Sequence, residues 1–159
     1  MIIDVVRQYW IFLFSFIVCI VGCGLPKRIT YDTTGHESKL FLNVSLSPDA
    51  NHDNPVAIDL VLVDDKTLLK QLSGMPASQW FQQKAQVKRD HPGLAQLKSW
   101  EWVPGQVVAP ITIPINPKVR GGIIFAQYFS PGAHRAAVKP NGHLQINFQA
   151  NDFTILAGK

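Results

Sequence analysis

Apolar and polar positions alternate cleanly from Leu40 to Ser47, with Leu40, Leu42, Val44 and Leu46 on one face and Asn43, Ser45 and Ser47 opposite. That is the period of a half-buried strand. The next eight residues, Pro48 to Pro55 (PDANHDNP), are dense in turn formers and continue neither a strand nor a helix period. Val56 to Val63 alternates again, with Val56, Ile58, Leu60 and Leu62 inward and Asp59 outward. Two such strands flanking one loop predict neighbours in a single sheet, joined by more than a tight hairpin.

After Asp64 and Asp65 the period changes. Leu68, Leu69 and Leu72 take helical spacing over Lys66 to Leu72, and the acidic pair stands at the end that the helix dipole favours for negative charge. Gly74 stops this helix, and Ser78 is placed to cap a second, Gln79 to Arg89, with Lys88 and Arg89 in its last turn. His91-Pro92-Gly93 ends it.

Strand patterns then resume. Leu94 to Val103 sets Trp100 and Trp102 on one face, a pair read as core or interface rather than a sugar or base platform. Val107 to Ile115 puts Val107, Ala109, Ile111, Ile113 and Ile115 on one face, while Pro110 and Pro114 remove two ladder donors and predict an edge or bulged strand. Gly122 to Phe129 is apolar on both faces apart from Gln127, as a central strand requires. Arg135 to Val138 is short, and Pro140-Asn141-Gly142 signals a hairpin into Leu144, Ile146 and Phe148. Phe153 to Leu156 is a final strand. The pattern is mainly β: an antiparallel β-sandwich with a helical insertion at about 65–91, after the second strand.

The amino-terminal region reads differently. Tyr9 to Leu25 is an apolar stretch of 17 residues, a little short of the roughly 20 that span a bilayer. It closes on Ile20-Val21-Gly22-Cys23, which resembles the lipobox of bacterial lipoproteins. The resemblance implies a signal peptide over 1–22, a diacylglycerol thioether on Cys23, and a polar tether from there to residue 39. The folded domain then covers 40–159. Gly24 rather than Asp follows Cys23, so the implied destination is the periplasmic face of the outer membrane. Processing removes Cys19, so the covalent lipid takes the one cysteine left to the mature chain.

Composition narrows the function classes. Fifteen basic residues against eleven acidic ones give a net charge of +4, but they form no run, so no nucleic-acid partner is expected. The five histidines are widely separated and match no metal-ligand spacing. Those beside turn residues read as solvated loop histidines. His52 with Asp49 and Asp53 is the nearest approach to a loop metal site, and none is expected there. Ser99 and Ser130 lack the surround of a nucleophile elbow, and Gly121-Gly122 precedes a strand rather than opening a helix. No enzyme signature, cofactor or small-molecule substrate emerges.

The order of these pieces resembles the outer-membrane lipoprotein of type VI secretion systems, the TssJ family. The matching residues are Ile20 to Cys23, Ser47-Pro48-Asp49, Asn54-Pro55-Val56, Leu68 to Leu72, Val103-Pro104-Gly105-Gln106 and Gly122 to Ala126. The second helix with Trp80-Phe81 and the Pro131 to Arg135 segment depart from that pattern. The resemblance implies a transthyretin-like sandwich hung from outer-membrane lipid. It would bind the periplasmic part of a large inner-membrane subunit, TssM-like, to assemble the secretion complex. It also implies a partner-binding loop, carried onto Pro48, Asp49, Asn51, His52, Asp53 and Asn54. A pilotin or a small-ligand carrier is the alternative, and an apolar chamber inside the sandwich would favour the carrier.

Overall fold

The computed structural model describes residues 38–91, 94 and 96–157. The signal peptide, Cys23 and the tether as far as residue 37 lie outside the described residues. Among the described residues there are eight strands: β1 (Ser38–Leu46), β2 (Val56–Val63), β3 (Gln96–Trp102), β4 (Ile111–Ile115), β5 (Gly121–Gln127), β6 (Arg135–Val138), β7 (Gly142–Phe148) and β8 (Phe153–Ala157). Two helices, α1 (Lys66–Gly74) and α2 (Ala77–Asp90), separate β2 from β3. Among the described residues no helix is long and apolar enough to cross a membrane.

The strands form two four-stranded sheets, ordered β4-β1-β7-β8 and β3-β2-β5-β6. Their facing sides supply one core. Leu40, Leu42 and Leu46 of β1 and Ile146 and Phe148 of β7 meet Ile58, Leu60 and Leu62 of β2 and Ile124 of β5. Trp102 and Phe148 meet edge-on across the sheets, with ring centroids 5.7 Å apart. Apolar side chains from both sheets meet there, as the alternation requires.

Four connections cross between the sheets, β1–β2, β3–β4, β4–β5 and β6–β7, and two of them differ from the sequence pattern. The first two strands are not neighbours: β1 lies in one sheet and β2 in the other, so the Pro48–Pro55 segment crosses the sandwich. Pro140-Asn141-Gly142 is likewise a crossing from β6 to β7 rather than a hairpin, with Gly142 at φ +96°. Periodicity fixes which face of a strand is buried but not which strand it pairs with. The pairing of β1 with β7 is parallel, Leu40 opposite Gly142 and Leu46 opposite Phe148, within sheets otherwise antiparallel.

β4 is an edge strand, but it begins at Ile111, and Val107 ahead of it is 94% exposed. β5 is central, and every residue from Gly121 to Ala126 is buried. One of its faces meets the core and the other lies under the helices.

Asp65 caps α1, its carboxylate accepting from Leu68 N at 2.7 Å. Ser78 is not the cap of α2; Pro76 takes that position, and Ala77 N donates instead to Ala133 O at 2.8 Å. Proline lacks the N–H that would go unpaired at this point. The helices cover the outer face of β2 and β5, burying Leu68, Leu72, Trp80 and Val87 against Val61, Val63, Ile123 and Phe125. Trp80 stacks on Phe125 with centroids 5.0 Å apart. Asp59 points away from the core, yet α2 buries it. Its Oδ2 accepts from Trp80 Nε1 at 2.8 Å and Lys84 Nζ at 3.0 Å.

The register gives the sandwich two distinct ends. Ser38, Ile115, Gly142, Val63 and Gly121 share the end where β1 starts. The Pro48–Pro55 crossing, Trp102, Gln127 and Phe148 share the opposite end.

Candidate functional site

The crossing from β1 to β2 is built on a left-handed turn. Asn51, His52 and Asp53 have φ values of 48°, 54° and 64°. Asn, Asp and His are the non-glycine residues most enriched in that region, so three in a row suit this backbone. The sequence carried this signal in the tripeptide itself, within what pattern alone marks only as a loop.

The turn is held from inside. Asn51 is buried, and its Nδ2 donates to Pro55 O at 2.9 Å while its Oδ1 accepts from Phe129 N at 2.9 Å. Asn51 N donates to Gln149 O at 3.1 Å, and Ser47 N donates to Phe148 O at 2.9 Å. Asn54 Nδ2 donates to His52 O at 2.7 Å. Ala50 is fully buried in the core. The segment therefore has packing duties, and four elements fix it: β1, β2, β7 and the strand end after β5.

Of the six loop residues singled out in the sequence, Pro48, Asp49, His52, Asp53 and Asn54 are exposed. Asn51 is the exception; its amide is directed inward and shapes the loop. Asp49 accepts from the Ser47 hydroxyl, and His52 Nε2 lies 2.9 Å from Asn151 Oδ1 in the β7–β8 turn. Among the described residues no three His, Cys, Asp or Glu side chains converge as a metal site.

Residues beyond the loop complete this end. Phe129 is 76% exposed, although its backbone N–H is tied to Asn51. It stands between two hollows. One, of about 280 Å3, is lined by Asn54, Pro55, Glu101 and Gln127 among others. The second, of about 620 Å3, lies between α2 and the β5–β6 turn, with Phe81, Lys84, Pro131 and His134 on its walls. Asp49, Asp53, Glu101 and Asp152 are exposed here, so the end is acidic. An exposed aromatic among stiff polar loops can be docked against at low entropic cost.

His134 departs from the solvated histidine expected of its turn-like neighbours. It is 6% exposed, with Nδ1 3.0 Å from Asp152 Oδ1 and Nε2 2.8 Å from Ser130 O. A carbonyl oxygen only accepts, so Nε2 carries a proton. The imidazole stacks on Tyr128 and lies so close to Gly132 that a Cβ there would sit 2.6 Å from Cε1. Tyr128 OH donates to Asp152 O at 3.0 Å. Burial pushes the phenol above its ordinary pKa, against a backbone hydrogen bond from Gln149 that lowers it, and the Asp152 carboxylate adds to the rise. Both rings brace the β5–β6 turn against the β7–β8 turn. Sequence spacing missed this pair because their partner, Asp152, is distant in the chain.

No family model matches the sequence, and no curated protein does. Solved structures do match the fold. The type VI secretion lipoprotein TssJ1 of Pseudomonas aeruginosa superposes with a TM-score of 0.62 at 14% identity, over 77% of this chain and 98% of that one. Serratia marcescens Lip, a membrane-bound component of the type VI secretion system, gives 0.59 at 12% identity, over 77% and 99%. A chain in the structure described as the type VI protein TssM C-terminal domain from EAEC gives 0.58 at 14% identity, over 76% and 99%. The chain thus has a TssJ-like β-sandwich fold.

Proposed function

We propose that the protein is an outer-membrane lipoprotein of a type VI secretion membrane complex. A lipid on Cys23 would hold it to the periplasmic face, and its loop end would bind the periplasmic part of a TssM-like inner-membrane subunit. The TssJ-like fold and the Ile20-Val21-Gly22-Cys23 sequence support this reading. The observation that carries the interface is the Asn51-locked turn, which presents Asp49, His52 and Asp53 in one fixed arrangement. The apolar side chains of both sheets pack into one cluster between them, which supports an assembly role over a small-ligand carrier.

Two measurements test it. Replacing Asp49, His52 and Asp53 together by Ser, with Asn51 kept, should weaken binding to the purified periplasmic domain of the TssM-like subunit at least tenfold, about 1.4 kcal/mol. Unchanged affinity would place the interface elsewhere. Separately, Cys23→Ser should abolish incorporation of labelled fatty acid; a variant that still takes label would overturn the anchor.

A further inference from the structure

The end where β1 starts has the opposite charge to the loop end, and nothing in the proposed partner contact uses it. Lys66 at the start of α1 and Lys118 and Arg120 of the β4–β5 turn line one hollow of about 580 Å3, together with Asp64. Arg120 N donates to Val63 O at 2.8 Å, which fixes this turn against the end of β2. Lys39, opposite Pro114, and Lys139, next to Val138, belong to the same end by register. All five cations are exposed, and none is in an ion pair among the described residues. Asp65 is held by its capping bond to Leu68 N, leaving Asp64 as the carboxylate facing the cluster.

We infer that this end is a docking surface for an anionic bilayer, taking phospholipid headgroup phosphates rather than a protein partner. The inference rests on the proposed anchor at Cys23. From Cys23 to Ser38 the chain advances fifteen residues, which reach at most about 50 Å when fully extended. The strand that this segment enters is β1, and the basic cluster lies at the same end of the sandwich as that strand's first residue. At physiological salt, exposed charges act over about 8 Å, so the cluster is felt only when this end lies against the surface. Cations at one end and Asp49, Asp53, Glu101 and Asp152 at the other would then set the orientation: basic end on the headgroups, loop end outward. The anchor supplies attachment, and the cluster supplies direction.

The test uses the full lipidated chain in phosphatidylcholine vesicles with or without phosphatidylglycerol. A fluorophore on Pro117→Cys reports the basic end and one on His52→Cys the loop end, against a headgroup-linked quencher. On the processed chain the introduced thiol is the free one. The Pro117 probe should be quenched several-fold more strongly when phosphatidylglycerol is present. That gain should vanish in 1 M salt and in the Lys66→Glu/Lys118→Glu/Arg120→Glu variant, with the His52 probe unaffected throughout. Protein that floats with both vesicle types but shows equal Pro117 quenching overturns the inference and leaves the anchor standing. Protein that fails to float with phosphatidylcholine vesicles overturns the anchor and the inference together. The lipid and salt comparisons leave the cluster intact, so they decide the matter even where the triple variant folds poorly.

Discussion

Trp80 Nε1 donates to Asp59 Oδ2 at 2.8 Å, tying α2 to the middle of β2 beneath the helix. The same oxygen accepts from Lys84, whose side chain is 36% exposed and lies over the Phe81 ring. A buried carboxylate with two donors is stable only while both remain in place. Trp80→Phe keeps the stack on Phe125 but removes one donor, and should cost about 1–3 kcal/mol in urea denaturation. Lys84→Met should cost more, because it leaves the buried Asp59 carboxylate without its only cation.

Asn51 and His52 adjoin in the chain yet should respond oppositely to truncation. Asn51→Ala leaves Phe129 N and Pro55 O without their partner in a partly buried position, with an expected loss of about 1–3 kcal/mol. His52→Ala removes an exposed side chain and should change stability by less than about 1 kcal/mol. Thermal unfolding of the two variants separates the residue that shapes the loop from one that it displays.

Two glycines give a second contrast. A Cβ on Gly122 would lie 2.8 Å from Leu62 Cδ2 and 3.0 Å from Val138 Cγ2. Gly122→Ala should therefore destabilise by about 1–3 kcal/mol, since β5 is packed on both faces. Nothing lies within 4 Å of a Cβ on Gly74, the last residue of α1. Gly74→Ala should stabilise by about 0.5–1 kcal/mol by restricting the unfolded chain. Chemical denaturation midpoints test both signs.

Tyr128 predicts alkaline behaviour. Its phenol holds its proton more tightly in the folded chain than in the unfolded one, whose ordinary value is 10.0. The unfolded state therefore loses its proton first as pH rises, and stability should fall above about pH 10. Tyr128→Phe should flatten that part of the stability–pH curve while leaving neutral pH little changed. A curve of unchanged slope would show that another group titrates there.

The strands were legible in the sequence because each has a committed face. The alternation in Leu40 to Leu46 and Val56 to Val63, the double burial of Gly121 to Ala126, and the edge position implied by Pro114 are all local properties. Partnership is not local: of the four crossings between sheets, β1–β2 and β6–β7 carry patterns that predict connections within one sheet. The candidate site was legible as a loop but not as a locked turn. The Asn51 contacts with Phe129 and Gln149, and the His134 contact with Asp152, close across the chain. No window of neighbouring residues contains them.

The parallel pairing of β1 with β7 dictates an order of events during synthesis. β1 is an inner strand of its sheet, yet β4 and β7, its two neighbours, begin only at Ile111 and Gly142. Until both have emerged, the first strand made exposes its apolar side chains and an unpaired backbone, a hazard that grows with the separation of partners. The sandwich cannot close until its last quarter has been made.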